Sequence, residues 1–320
     1  MAHEIESIMS VKLTPWHGLG VILPEAPNAE TAIKEAGLDW TVTKRKVWYE
    51  RDNGEQDVAK GQYAVVRDSD DRYMGYAGES WQPLQNTDAF KFFDPFIESG
   101  EATFETAGSL DHGRRIWVLA KINRNPIEVV KGDIVDKYIL LSNHHSAGYA
   151  VRGALTPIRV VCANTEAMAF NNSKTQIFKA THSLKMNERL ERVQQSISMA
   201  DSAFEQTAEF YKRFASKQVL QNDVQRFVNM AFGYADVVNS GREEAFKRKQ
   251  TETIVRLFET GRGSDILGVR GTVWGLYNAA TEFLSHENGK TSEKILNSNW
   301  FGNGSKLNKS AFEAAMVLAS

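Results

Sequence analysis

The residues of this chain that could carry catalysis are seven histidines, one cysteine and a few acidic clusters, and their spacing argues against a catalytic centre. His3, His17, His112, His144, His145, His182 and His286 include no pair at helical i, i+4 spacing, and a single thiol cannot build a thiolate zinc site. His144-His145 is the closest pair. On a strand, adjacent side chains point to opposite faces, which prevents joint ligation of one metal; in a turn it stays possible. Cys162 follows Ile158 and Val160 on one strand face and reads as a buried structural thiol rather than a nucleophile. Asp68, Asp70 and Asp71 fit a solvated turn better than a metal-dependent nuclease centre. Gly18-Leu19-Gly20 lacks the third glycine and the helix of a dinucleotide fingerprint, and neither a phosphate loop nor a nucleophile elbow occurs. No cofactor, no metal and no catalytic residue is expected.

Binding chemistry is better represented. Residues 1–110 hold 10 Lys/Arg against 19 Asp/Glu, whereas residues 111–190 hold 12 against 6. The net charge of −2 therefore hides a basic middle of +6, a charge that suits an anionic ligand or a merely solvated basic surface. Within it, Arg115, Trp117, Leu119 and Lys121 alternate with Ile116, Val118, Ala120 and Ile122, so an indole between two cations faces away from an apolar set. Arg114, Arg152, Arg159 and Lys179 add charge nearby in sequence, and Lys44, Lys46 and Trp48 repeat the combination on an earlier strand. Arginines beside aromatic faces suit single-stranded nucleic acid, whose phosphates need cations and whose bases stack without regard to sequence. For Arg159 two partners stay open: a phosphate, with the following helix capped by Asn164, or a carboxylate such as Glu105.

The elements that must position these residues fall into two kinds. The first half reads as strands between turn signals: 41–51, 62–67, 72–76, 103–110, 114–122, 134–142, 148–154, 156–161 and 175–181. Asn86 is placed to cap a helix bearing Phe90, Phe93 and Ile97, bent at Pro95, and a short helix fits 165–170. Helical spacing dominates afterwards, over 187–216, 223–234, 243–260, 272–286 and 306–318, with Trp274 and Tyr277 on a core face. The expected fold class is α+β: an antiparallel-dominated sheet with one or two helices over residues 1–185, then a helical region over 186–320. No apolar run approaches the roughly 20 residues of a membrane helix, and the N-terminus lacks a signal-peptide pattern. With one cysteine, the expected compartment is the reducing cytoplasm.

Several stretches resemble a known family. They are Trp16-His17-Gly18-Leu19-Gly20, Ala36-Gly37-Leu38-Asp39-Trp40, Trp81-Gln82-Pro83-Leu84-Gln85-Asn86 and Phe104-Glu105-Thr106-Ala107-Gly108-Ser109-Leu110 with Gly113-Arg114-Arg115. Two longer ones follow, Ala154-Leu155-Thr156-Pro157-Ile158-Arg159-Val160-Val161-Cys162-Ala163-Asn164-Thr165 and Trp274-Gly275-Leu276-Tyr277-Asn278-Ala279-Ala280-Thr281-Glu282. Together they resemble the phage/plasmid-like protein family, which contains a domain of unknown function numbered 932. The resemblance implies a mobile-element gene, hence the cytoplasm of a bacterial host cell, and no assigned activity. The order of elements, a β-hairpin sheet and then a helix, is also similar to single-strand annealing recombination proteins, an analogy of fold only. The expected function is non-enzymatic binding and annealing of single-stranded DNA in recombination or replication, by a homo-oligomer without membrane contact. The alternatives are an interaction protein that blocks a host defence and, third, a metal-dependent nuclease.

Overall fold

The computed structural model describes residues 5–12, 20–159, 164–165, 176–183, 199–220, 222–233 and 241–320. The fold is α+β, with sheets formed by the N-terminal half and helices by the C-terminal half. The described chain divides into two compact units: residues 1–123, 139–154 and 176–198 form one, and residues 124–138, 155–175 and 199–320 the other. The boundary expected near residue 185 lies outside the described residues.

In the first unit, β1 (Ile5–Val11) pairs in parallel with β2 (Val21–Leu23) and antiparallel with β6 (Ala102–Leu110), which hairpins onto β7 (Arg115–Val130). Next in the sheet come β8 (Asp133–His144) and β9 (Ala150–Arg159). β11 (Gln176–Thr181) pairs antiparallel with Ala150–Ala154 of β9. The hairpin turn takes Asp111, His112 and Gly113 through positive φ, and the last of these can only be glycine without strain. A second sheet holds β3 (Val42–Glu50), β4 (Gln56–Arg67) and β5 (Arg72–Gly78) in antiparallel order. One face of it is apolar, with Val42, Val65, Met74 and Ala77 packed with Trp81.

Three short helices cover this unit. α1 (Ala29–Glu35) starts where the Asn28 side chain accepts a hydrogen bond from Thr31 N–H. The helix expected from Asn86 is two pieces, α2 (Asn86–Lys91) and α3 (Asp94–Glu98), because Pro95 has no N–H to continue the first. Asn86 is not a cap. It is buried, and its side-chain amide donates to the carbonyls of Leu38 and Trp40. Phe90 and Phe93 of this segment pack against Phe104 at 5.5 and 5.8 Å between ring centroids.

The second unit contains residues 124–138 of β7 and β8, the end of β9, and β10 (Asn164–Thr165) paired to Ile158 and Arg159. Asn164 is therefore a strand residue, not a helix cap; residues 166–170 of the expected helix and Cys162 lie outside the described residues. The strands expected at 148–154 and 156–161 are one strand. On the edge facing β10 and β11, Pro157 lies between the two described pairings, since β11 pairs only as far as Ala154 and β10 begins at Ile158.

Among the described residues of this unit the α-helices are α4 (Met199–Ser216), α5 (Asp223–Phe232), α6 (Gly241–Thr260), α7 (Val273–Glu282), α8 (Ser292–Phe301) and α9 (Asn303–Leu318). The stretch 187–198 of the long helix expected from residue 187 is outside the described residues. Tyr211, Phe214, Trp274, Tyr277 and Phe312 form a contiguous aromatic core. Thr272 caps α7, its hydroxyl accepting from Gly275 N–H, and Gly233 ends α5 in the left-handed conformation.

Candidate nucleic-acid interface

Two of the residues expected to bind nucleic acid belong to the interior. Trp117 is fully buried, as are Ile116, Val118, Leu119 and Ala120 around it. Alternation along β7 separates two faces, but both are covered, so Trp117 is a core residue and not a stacking platform. Its space comes from Gly108, the residue directly opposite on β6, where a Cβ would stand 2.7 Å from the indole. Arg159 is buried as well. Its Nε and Nη2 donate to the two carboxylate oxygens of Asp133 at 2.7 and 2.9 Å, and it also bonds the carbonyls of Arg262 and Gly263. Trp274 Nε1 donates to the same carboxylate at 2.7 Å. The carboxylate partner of Arg159 is thus Asp133, not Glu105, and no phosphate can reach the guanidinium.

Others stand apart. Lys44 donates to the Glu79 carbonyl and lies 4.8 Å from the Tyr63 ring centroid. Lys46 is exposed, and Trp48 is 57% exposed opposite Val58 on the second sheet. Lys121 is half-buried opposite Thr103, six residues and roughly 20 Å along β7 from Arg115.

Four expected cations do come together in the first unit. Arg152 and Lys179 are exposed and directly opposite each other across the β9–β11 ladder. Like charges in that position repel, and no carboxylate among the described residues pairs with either. Arg115 is partly buried, and its affinity for the proton is lowered first by burial and also by the charge of Arg152. Arg114 is partly exposed, 3.7 Å from Asp111.

The sequence reading missed the aromatic member, Tyr149. It is 51% exposed, and one face of its ring stacks on His144 at 3.9 Å between centroids. Arg115 lies close to it. The turn Ser146-Ala147-Gly148, with Gly148 at φ +87°, folds Tyr149 back onto His144, the last residue of β8. Ala147 N–H donates to the Tyr76 carbonyl at 2.7 Å and fixes that turn. The only local hint of such a platform was the succession His144-His145 and Gly148-Tyr149.

The floor of the patch consists of neutral imidazoles. Burial, with a smaller contribution from Arg115, pushes His144 down to about 4. His145, fully buried and 3.0 Å from the Asn86 side-chain oxygen, is pushed down to about 3 by burial. His182, also lowered by burial, stacks on Trp81 at 4.8 Å. Of these rings His144 supports the tyrosine, while His145 packs on Trp40 and His182 on Trp81. Among the described residues, no three His, Cys, Asp or Glu side chains are grouped to hold a metal ion, and no helix is long and apolar enough to cross a membrane.

A family model, DUF932, described as a domain of unknown function, matches residues 73–310. No curated protein and no solved structure matches the chain.

Proposed function

We propose a function on geometry alone, because the chain belongs to the DUF932 family, a domain of unknown function, and membership brings no activity with it. The chain binds single-stranded nucleic acid on the Arg115–Tyr149–Arg152–Lys179 face. Its role is non-enzymatic annealing in the recombination or replication of a phage or plasmid, carried out by a homo-oligomer in the bacterial cytoplasm. The observation that carries this reading is the exposed Tyr149 ring, seated on a neutral histidine among three cations. A base stacked on that ring places its neighbouring phosphates within reach of Arg115, Arg152 and Lys179, and every base offers a π-face, so sequence is not read. Duplex DNA keeps its base faces stacked inside and would gain only the phosphate contacts.

The test is an electrophoretic shift with single-stranded and duplex oligonucleotides at about 50 mM salt, which favours phosphate contacts. Preferential shift of the single strand, unchanged by sequence or by magnesium, is expected. No shift, or a preference for duplex, would refute the reading. Cleavage of the oligonucleotide in magnesium or manganese would instead favour an enzyme.

A further inference from the structure

The second sheet extends beyond its own core. β5 pairs with β4 only from Arg67 back to Gln62, whereas β3 and β4 continue as a two-stranded ribbon through Trp48–Val58, Tyr49–Asp57 and Glu50–Gln56. No residue from Thr43 to Ala64 is buried. The tip is closed by backbone bonds from Arg51 N–H to Glu55 O and from Gly54 N–H to Arg51 O, with Gly54 at φ +83°. Seven residues separate Lys46 from Asn53, so the arm reaches roughly 23 Å. An isolated ribbon of this kind is marginal in water. This one presents Trp48, 57% exposed, and Tyr49, 50% exposed, residue types that anchor interfaces when covered.

The arm's charge indicates what covers it. The carboxylates gather toward the tip: residues 50–57 carry Glu50, Asp52, Glu55 and Asp57 against Arg51, while Lys46 and Lys60 stand at the base. Arg51 is itself neutralised by ion pairs to Glu55 and Asp57. An acidic, aromatic arm repels nucleic acid and fits a basic surface with an exposed ring. The same unit carries such a surface: Arg115, Arg152 and Lys179 around Tyr149.

We propose that the β3–β4 arm is a self-association element, laying its Trp48 and Glu50 side, with the tip carboxylates Asp52 and Glu55, on the Arg115–Arg152–Lys179 face of a second copy of this chain. The contact is reciprocal: each arm meets the partner's face, as two-fold symmetry requires of a closed dimer. It rests on the face assigned above to nucleic acid but uses a different ligand, so strand and arm compete for it, and the arm-linked dimer is a resting form distinct from the oligomer that anneals strands.

The test is the mass of the full chain by light scattering, with melting temperature as the control for folding. At about 10 µM, a concentration at which an interface of micromolar affinity is occupied, the chain is expected to self-associate and to dissociate in high salt. Trp48→Ser with Tyr49→Ser should be monomeric, both residues being exposed. Asp52→Lys with Glu55→Lys, and separately Arg152→Glu with Lys179→Glu, should each be monomeric, while an equimolar mixture of the two regains association. If the second pair does not fold, Arg152→Gln with Lys179→Gln replaces it, and loss of association is read. A wild-type chain monomeric at about 100 µM, an aromatic variant that associates normally, or a mixture that stays monomeric overturns the inference. An oligothymidylate of about 12 nucleotides, within the site size of small single-strand binding folds, should dissociate the associated form. Arm-dependent association without oligonucleotide binding would overturn the proposed function and leave this inference standing; oligonucleotide binding by a chain whose association does not depend on the arm would do the reverse.

Discussion

Trp117, expected at the surface, is core, whereas the exposed ring belongs to Tyr149, which the sequence did not single out, and substitution separates them. Tyr149 has an open ring face, so Tyr149→Ala should weaken single-strand binding by about 1–3 kcal/mol, the range for a lost base stack, with little change in melting temperature. Trp117→Ala should leave binding per folded molecule intact and cost about 3–5 kcal/mol of stability, because it empties a filled site against Gly108. Normal melting of Trp117→Ala would show that the indole is not core. Asp133 tests a different principle. It holds the buried Arg159 guanidinium and the Trp274 indole together, so Asp133→Ala should cost about 3–5 kcal/mol by stranding a buried charge. Adding Arg159→Leu should recover much of that loss in a urea titration, since removing both charges removes the desolvation problem. No recovery would mean that the carbonyl contacts of Arg159, rather than its charge, hold the site.

At the scale of the element, the histidines buried at the end of β8 and just past β11 predict a pH-dependent stability. His144, His145 and His182 are all held neutral by burial, the first two at about 4 and about 3. An unfolded chain takes up these protons near the ordinary histidine value of 6.5, whereas the folded chain does not until much lower. Their contribution is therefore fully present above pH 6.5 and is lost as pH falls from 6.5 toward 4. Urea midpoints at pH 7.5 and 5 should differ in that direction, and His182→Gln should shrink the difference; equal midpoints would mean that the imidazoles are already charged in the fold. Strand existence was legible from alternation and turns, as in the hairpin through Asp111-His112-Gly113. Which face was wet was not legible. β7 is covered on both sides, and only a partner strand's glycine, invisible to a reading of β7 alone, makes room for Trp117. The cations Arg115, Arg152 and Lys179 were legible individually. Their meeting depends on β11 pairing with β9, a contact no local pattern encodes. Tyr149 was missed because a Gly-containing turn, not a strand period, aims it.

The whole molecule enters through its electrostatics. Three cations per chain at the face imply that log K for single-strand binding falls with log salt at a slope of about −2, from roughly 0.7 per phosphate neutralised. Arg152→Ala with Lys179→Ala should bring the slope to about −0.7, leaving one phosphate contact. A slope near zero in the wild type would remove these cations from the interface.

The chain passes between its two compact units five times, after Asn123, Tyr138, Ala154, Thr175 and Ser198. Neither unit is a contiguous stretch of gene. A single crossover between two relatives that differ in sequence would join mismatched parts within at least one core at almost any breakpoint, so viable hybrids should have breakpoints near the termini.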